Sequence, residues 1–484
     1  MPEMFMPLHL IAVALWAVLH GIAVIRVLLN GDITPSGRIA WLMLIIIAPF
    51  VGVAAYFMFG EPWMARRFRR AADLIERQLA KAALTEDETA GRKSVPERFR
   101  PAFAACEHLS GCATASGNSA RLTMDSNAAI DDMVADFDAA RDTIHISFYI
   151  WLTDTNGLKV VEALKRAAAR GVICRVGVDA LGSRALIASD YWRAMKDAGI
   201  RLCISLKPSL PLLVGSANRP DLRNHRKIVV VDNAITYCGS QNCADPEFRI
   251  KPKFAPWVDI LIRYEGPVVR QNQRVFASTW LIEYGEDLSE LLDDAPEAAD
   301  AQGFPAIAFG TGPLSPRGAM SDVFVAVLGS ALHEAVISTP YFVPDPSLLA
   351  SILSCARRGV KTTLILPARN DSRAIASISS AYFEQLLAAG VELHLFQGGL
   401  LHAKTLVVDK SLALVGSANM DFRSLYLNFE NNILLYAPDM AAQVRARQDS
   451  YLARSIRVSR AEVEARPAIR VAYDNLLTTI GPVF

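Results

Sequence analysis

One spaced pattern occurs twice in this chain. His225, Lys227, Asp232, Gly239, Ser240 and Asn242 fit H-x-K-x4-D-x6-G-S-x-N, and His402, Lys404, Asp409, Gly416, Ser417 and Asn419 fit it again without a slip. Six fixed residues would arise by chance on the order of once in 10⁵ chains of this length. The surroundings repeat as well. Residues 144–150 read as an apolar strand, 157–170 as a helix stopped at Gly171, and 172–179 as a second strand. Residues 335–342, 346–358 and 360–367 give the same series, with Gly359 at the helix stop. Ala-Arg-Gly-Val at 169–172 even matches Arg-Arg-Gly-Val at 357–360. Strand, helix, strand in each half predicts an α/β fold with parallel strands, built from two copies of one unit.

The spacing of the pattern has a chemical meaning. The run after each histidine is β-branched and apolar, so it is a buried strand. Side chains two apart on a strand share a face, so His225 points with Lys227 and His402 with Lys404. Asp232 and Asp409 stand at odd offsets, which predicts a structural role, anchoring a neighbouring lysine or backbone amides. Brought together, the half-sites would hold a phosphodiester: two lysines for charge, and Ser240, Asn242, Ser417 and Asn419 as hydrogen-bond donors. One neutral histidine can attack phosphorus. The other, protonated, can donate to the leaving alcohol and then deprotonate the incoming one. The expected geometry sets the two motif strands side by side across a pseudo-twofold, with both histidines in one pocket.

This chemistry calls for no metal and no cofactor. The seven cysteines are scattered and odd in number, with no C-x-x-C pair, and no H-E-x-x-H occurs. That pattern excludes a disulfide framework and a structural zinc site, and free thiols suit a reducing compartment. Gly310-x-Gly312 is only a fragment of a nucleotide-binding fingerprint. His9 and His20 fall in an apolar run, and His108, His145, His333 and His394 read as packing or surface residues.

A net charge of +1 argues against nucleic acid as a partner, and an apolar share of 52% directs attention to concentrated apolar runs. Residues 4–24 and 39–59 are two such runs, each near the 20 or so residues that a helix needs to cross a bilayer. Between them, 30–38 carries the turn formers Gly31, Asp32, Pro35 and Gly37, which predicts a helical hairpin. A cleaved signal peptide would want a basic leader, and here the leader holds only Glu3. Arg66, Arg67, Arg69, Arg70, Arg77 and Lys81 follow the second run, against Arg26 and Arg38 on the hinge side. The positive-inside rule then puts both termini and the body in the cytoplasm. The same cluster could hold the body against anionic lipid headgroups. The expected organisation is a transmembrane hairpin at 1–62, a helical or irregular stretch at 63–119, halves at 120–286 and 306–484, and an acidic linker at 287–305.

In these residues the sequence resembles the phospholipase D superfamily, and within it the bacterial cardiolipin synthases. Tyr56-Phe57-Met58-Phe59-Gly60, Arg223-Asn224-His225-Arg226-Lys227, Glu265-Gly266-Pro267, Thr339-Pro340-Tyr341-Phe342-Val343-Pro344-Asp345, Gly416 to Ser424 and Asn428-Phe429-Glu430 carry the likeness. The resemblance implies two phospholipase D-like halves with a shared active site. It also implies transfer of a phosphatidyl group between two phosphatidylglycerols, releasing glycerol, in a bacterial inner membrane. A carboxylate downstream of each motif is expected to orient its histidine. Glu430 holds that place in the second half, and Asp259 substitutes in the first. On that pairing Glu430 favours a charged His402, the general acid, and His225 is the nucleophile, as the resemblance also suggests. The sequence departs from its relatives at Ser147, where a glutamate often stands. Competing functions are a phospholipase D-type hydrolase, a transferase using another alcohol, and a non-catalytic membrane scaffold. Acceptor and oligomeric state are not legible.

Overall fold

The computed structural model describes residues 6–31, 33–60, 91–207, 221–248, 250–292 and 303–479. The arginine cluster at 66–77, Lys81 and most of the 287–305 linker lie outside these residues. The described part falls into two units, the segment up to Gly60 and the body at 91–207 and 222–479.

In the N-terminal unit, Met6–Leu29 is one uninterrupted helix. The stretch His9–Leu29 is long and apolar enough to cross a membrane. The second apolar run, expected as one helix, is broken. It forms Pro35–Ile47, Pro49–Ala55 and a π-helical turn at Tyr56–Gly60. Pro49 explains the break: it offers no N–H to the preceding turn and drives Ala48 out of helical geometry, to φ −129° and ψ 70°. Ala23, Val27, Ile45, Val53 and Tyr56 bury one another, and Trp16 stacks on Phe50 at 4.2 Å. Gly52 permits the close turn, because a Cβ there would meet the Leu44 carbonyl oxygen at 2.5 Å.

The body is organised by a single sheet of fifteen strands. The first half contributes β1 (Ala115–Leu122), β2 (Thr143–Phe148), β3 (Ile173–Asp179), β4 (Arg201–Ser205), β5 (Ile228–Val231), β6 (Ile235–Gly239) and β8 (Leu261–Glu265), with the short β7 (Trp257–Val258) outside the sheet. The second contributes β9 (Phe304–Thr311), β10 (Glu334–Ser338), β11 (Lys361–Pro367), β12 (Glu392–Phe396), β14 (Thr405–Val408), β15 (Leu412–Gly416), β16 (Glu430–Tyr436) and β17 (Ser455–Arg457), with β13 (Leu400–Leu401) paired to β7. Outward from the centre the orders are β1-β8-β6-β5-β2-β3-β4 and β9-β16-β15-β14-β10-β11-β12. These are the same order, so the duplication in sequence is a duplication in topology. β2-β3-β4 and β10-β11-β12 are parallel, as the strand–helix–strand reading requires, and the motif strands add to them antiparallel.

Two expectations need correction. β1 and β9 join the halves antiparallel at the centre of the sheet, yet β1 falls in the stretch read as helical or irregular and β9 begins inside the stretch read as linker. The sequence of β1, Ala-Ser-Gly-Asn-Ser-Ala-Arg-Leu, has no apolar alternation to betray it. Its pairing leans instead on Asn118, which donates to the Ala115 and Phe304 carbonyls and accepts from the Val268 amide. Nor do the motif strands lie side by side, since six strands separate β5 from β14. The halves meet by packing: Cys238 and Ile262 of the first share a core with Ala413, Val415 and Ile433 of the second. Apolar residues on all these strands drive that closure, and it carries the ends of the motif strands toward each other.

Candidate active site

Each histidine lies just before its motif strand, on a short extended segment that pairs with the opposite half. The His225 amide donates to the Phe429 carbonyl at 2.9 Å, and the Phe429 amide to the Arg223 carbonyl at 2.9 Å. One step on, Asn431 holds both the amide and the carbonyl of Lys227. The second half-site repeats this: β13 runs parallel to β7, and the His402 amide donates to the Val258 carbonyl at 2.8 Å.

This exchange of backbone sets the carboxylate partners, and they are crossed. His225 Nδ1 lies 2.9 and 3.0 Å from the Glu430 oxygens, and His402 Nδ1 lies 2.6 Å from Asp259 Oδ1. The expectation that Glu430 serves His402 is therefore overturned. Glu430 follows the second motif in sequence, but it opens β16, the strand whose leading residues pair with the first motif's segment. Sequence adjacency could not reveal a partner exchanged through tertiary pairing.

The motif serines also take a different place from the one expected. Ser240 Oγ donates to Asp259 at 2.6 Å and accepts from the Ile260 amide. Ser417 Oγ donates to Glu430 and accepts from the Asn431 amide. Both hydroxyls are spent on the carboxylates, so they orient the orienters and do not face a substrate. Ser424 and Asn428 add further donors to Glu430, at 2.8 and 3.5 Å. The asparagines are less committed. Asn242 Oδ1 accepts from the Ile150 amide while its buried Nδ2 has no partner among the described residues, and Asn419 Nδ2 donates to Asp421.

Lys227 and Lys404 are buried, and each ammonium donates to the carbonyl of its own histidine at 2.6 Å. The shared face of positions two apart puts them there. Asp232 accepts from the amides of Arg141, Asp142 and Thr143, all at 2.8 Å. Asp409 accepts from Leu332, His333 and Glu334 and pairs with Arg98. Both aspartates sit at the tips of the motif hairpins with positive φ, a conformation that aspartate tolerates. They fix each hairpin to the start of β2 or β10, away from the histidines.

Burial is the largest influence on both imidazoles and drives each down to about 4, against the pull of its carboxylate. The lysine of the other half acts in the same direction on each, which places the two half-sites within electrostatic reach. Burial also lowers Lys227 to about 8 and Lys404 well below its usual value. Burial pushes Glu430 and Asp259 up, but the paired histidine, the lysines and the serine outweigh it and hold both below the usual carboxylate range. A neutral imidazole beside an ionised carboxylate carries its proton on Nδ1 and keeps a lone pair on Nε2.

Several neighbours escaped the sequence reading. Tyr149 packs edge-on against His225 at 5.0 Å, with Lys227 Nζ 5.6 Å from its ring, and Trp257 lies 4.6 Å from His402. Arg226 is buried, donates to the Glu430 carbonyl and lies over Phe429. Gly310 and Gly312 make room for Arg226 and Phe429, a packing role. Ser147 is buried, with Oγ 3.4 Å from Asn224 Nδ2, beside His225 in sequence.

Two histidine–carboxylate–lysine sets, one at the start of the motif strand in each repeated half of an α/β sheet, define a phospholipase D-like protein. Comparison with known proteins agrees. The family model described as "Cardiolipin synthase, PLD-like domain" matches residues 133–280 and 324–451, and "Phospholipase D-nuclease N-terminal" matches 14–61. Cardiolipin synthase A of Escherichia fergusonii is 35% identical over 92% of both chains, and that of Yersinia pseudotuberculosis is 34% identical over 97% of this chain and 96% of its own. A crystal structure of phosphatidylserine synthase from Haemophilus influenzae shares the fold with a TM-score of 0.60, covering 79% of this chain and all of its own at 13% identity. The chain belongs to the cardiolipin synthase family of the phospholipase D superfamily. It is a membrane-associated protein.

Proposed function

We propose that this chain transfers a phosphatidyl group from one phosphatidylglycerol to a second, giving cardiolipin and glycerol, through a phosphohistidine on His225. The observation that carries the chemistry is the pair of crossed, buried histidine–carboxylate contacts with a lysine beside each. His225 Nε2 attacks phosphorus and the bond to the headgroup glycerol breaks. His402 gives its Nε2 proton to the departing oxygen. A second phosphatidylglycerol then presents a hydroxyl, neutral His402 removes its proton, and the new P–O bond forms as the P–N bond breaks. His402 must charge for this, although burial opposes it, and the anionic phosphodiester supplies the compensating charge. Lys227, Lys404 and the Asn242 amide are suited to hold the phosphoryl oxygens.

Since both histidines have carboxylates, their division of labour rests on how free each carboxylate is. Glu430 is divided among Ser417, Ser424, Asn428 and His225, which weakens it as a base toward His225. Among the described residues Asp259 shares its hydrogen bonds only with Ser240 and His402, each at a shorter 2.6 Å. That difference favours a neutral, nucleophilic His225 and a chargeable His402.

The remaining parts of the reading are proposals of the same kind: a shared pseudo-twofold active site, an N-terminal two-helix transmembrane hairpin, a cytoplasmic body at a bacterial inner membrane, chemistry without metal or cofactor, and anionic lipid as the partner in place of nucleic acid. The test is incubation of the purified protein in phosphatidylglycerol vesicles, followed by lipid mass spectrometry and a glycerol assay. Equimolar cardiolipin and glycerol are expected. Phosphatidic acid in their place would make it a hydrolase, and no turnover would make it a scaffold.

A further inference from the structure

The helix Ala468–Thr479 is built inside out. Its buried residue is a carboxylate: Asp474 is 1% exposed, paired with Arg470 at 3.0 Å and Arg466 at 3.5 Å, and accepts from Ser380 Oγ at 2.8 Å. Its outward residues are apolar: Ile469 is 81% exposed, Leu476 64% and Tyr473 51%, with Ala472 exposed among them. Positions 469, 472, 473 and 476 follow the i, i+3, i+4, i+7 spacing of a single helical stripe. A helix that met only water on that side would bury the isoleucine and expose the aspartate, so an exposed apolar stripe over a buried charge marks a contact surface.

We infer that this stripe lies on the lipid bilayer, with Ile469 and Leu476 among the acyl chains and Tyr473 at headgroup level. Two observations select lipid as the occupant. The first is covalent: the same chain carries an apolar helix of membrane-crossing length, so the body is tethered to a bilayer. The second is charge at the adjoining active-site rim. Arg470 donates to Ser377 Oγ and Arg466 to the Ser380 carbonyl, which seats the stripe-bearing helix on the helix Arg373–Ala381. That helix leads away from the end of the sheet where the histidines lie. Ser338 pairs with Thr405 and with Ile365, so the segments after β10 and β11 run out beside Lys404 and His402. Arg369 and Arg373 stand exposed on the second of these segments, and Asp371 between them accepts from Tyr341 and pairs with Lys251. From Arg373, where that helix begins, to Ser377 is about 6 Å of helix rise. An apolar stripe with the exposed Arg369 and Arg373 on the segment beside it, next to the mouth of the site, matches an anionic lipid surface. The inference rests on membrane association and not on which alcohol accepts the phosphatidyl group.

The test uses the full chain in vesicles of phosphatidylglycerol and phosphatidylcholine. Leu476→Cys is labelled with a thiol-reactive fluorophore, and the parent protein, whose cysteines are buried except the half-buried Cys112, supplies the background. Quenching by lipids brominated on their acyl chains, with protection from aqueous iodide, is the expected result. Iodide quenching without lipid quenching overturns the inference. So does protection from both together with cross-linking of Leu476→Cys between chains, which would give the stripe to a second copy. As a kinetic check, Ile469→Glu/Leu476→Glu should raise the phosphatidylglycerol mole fraction needed for half-maximal rate on the order of tenfold or more while sparing the maximal rate. An unchanged half-maximal mole fraction counts against the proposal. Because the quenching needs no turnover, an inactive parent protein would refute the proposed reaction and leave this inference to its own result.

Discussion

The crossed carboxylates make a sharp prediction, because each couples to a step performed by the opposite half. Glu430→Gln and Asp259→Asn remove one charge apiece while keeping side-chain volume, the first from a fully buried position and the second from a side chain 7% exposed. In Glu430→Gln the new amide can turn its NH₂ toward His225 Nδ1, which forces the imidazole proton to Nε2 and removes the lone pair that attacks phosphorus. The loss expected is on the order of 10⁴ in rate, the size seen when a serine-protease triad aspartate becomes asparagine and the histidine takes the wrong tautomer. The assay is acid-labile phosphoenzyme, measured by rapid quench with radiolabelled lipid carrying either glycerol or a nitrophenol as leaving group. Glu430→Gln should behave as His225→Ala does, failing to form phosphoenzyme with either substrate. Asp259→Asn should behave as His402→Ala does, slow with glycerol and restored when the leaving group needs no proton. The reverse pattern, rescue of Glu430→Gln and failure of Asp259→Asn, would refute the crossed assignment and the roles built on it.

Stability should fall in mild acid. His145 is buried between Gln273 and Arg175 and stacked on Phe276, and burial holds it down to about 4. Its unfolded form binds a proton below about pH 6.5, so stability rises with pH between about 4 and 6.5, and this residue alone costs about 2 kcal/mol at pH 5 relative to pH 7. Thermal melts of His145→Gln should show a smaller drop over that interval, and an identical drop would assign the effect elsewhere. Asp232→Ala orphans three backbone amides and should lower stability by about 1–3 kcal/mol in denaturant titrations; lost activity at unchanged stability would give Asp232 a chemical role. Turnover should survive EDTA, since two lysines supply the charge at phosphorus. Complete loss restored by one divalent ion would refute that mechanism.

Much of this protein was legible in its sequence because the relevant physics is local. Two positions apart on a strand means one face, and that alone joined His225 to Lys227 and His402 to Lys404. The odd offset of Asp232 and Asp409 put them on backbone duty. Apolar length marked the first helix, and repeated strand–helix–strand patterning foretold a duplicated α/β body. What the tertiary structure decided is everything that depends on which segments meet. β1 was hidden because a central strand of small and polar residues is specified by its neighbours and by Asn118 rather than by its own pattern. The break at Pro49 shows the converse, a local signal submerged in an otherwise continuous apolar run. The exchange of Glu430 and Asp259 between halves is the clearest case. Both residues were named from the chain, but a hydrogen-bond partner is a matter of a few ångströms in space, and closing the two halves of one sheet on each other brings residue 430 to residue 225 across 205 positions of sequence.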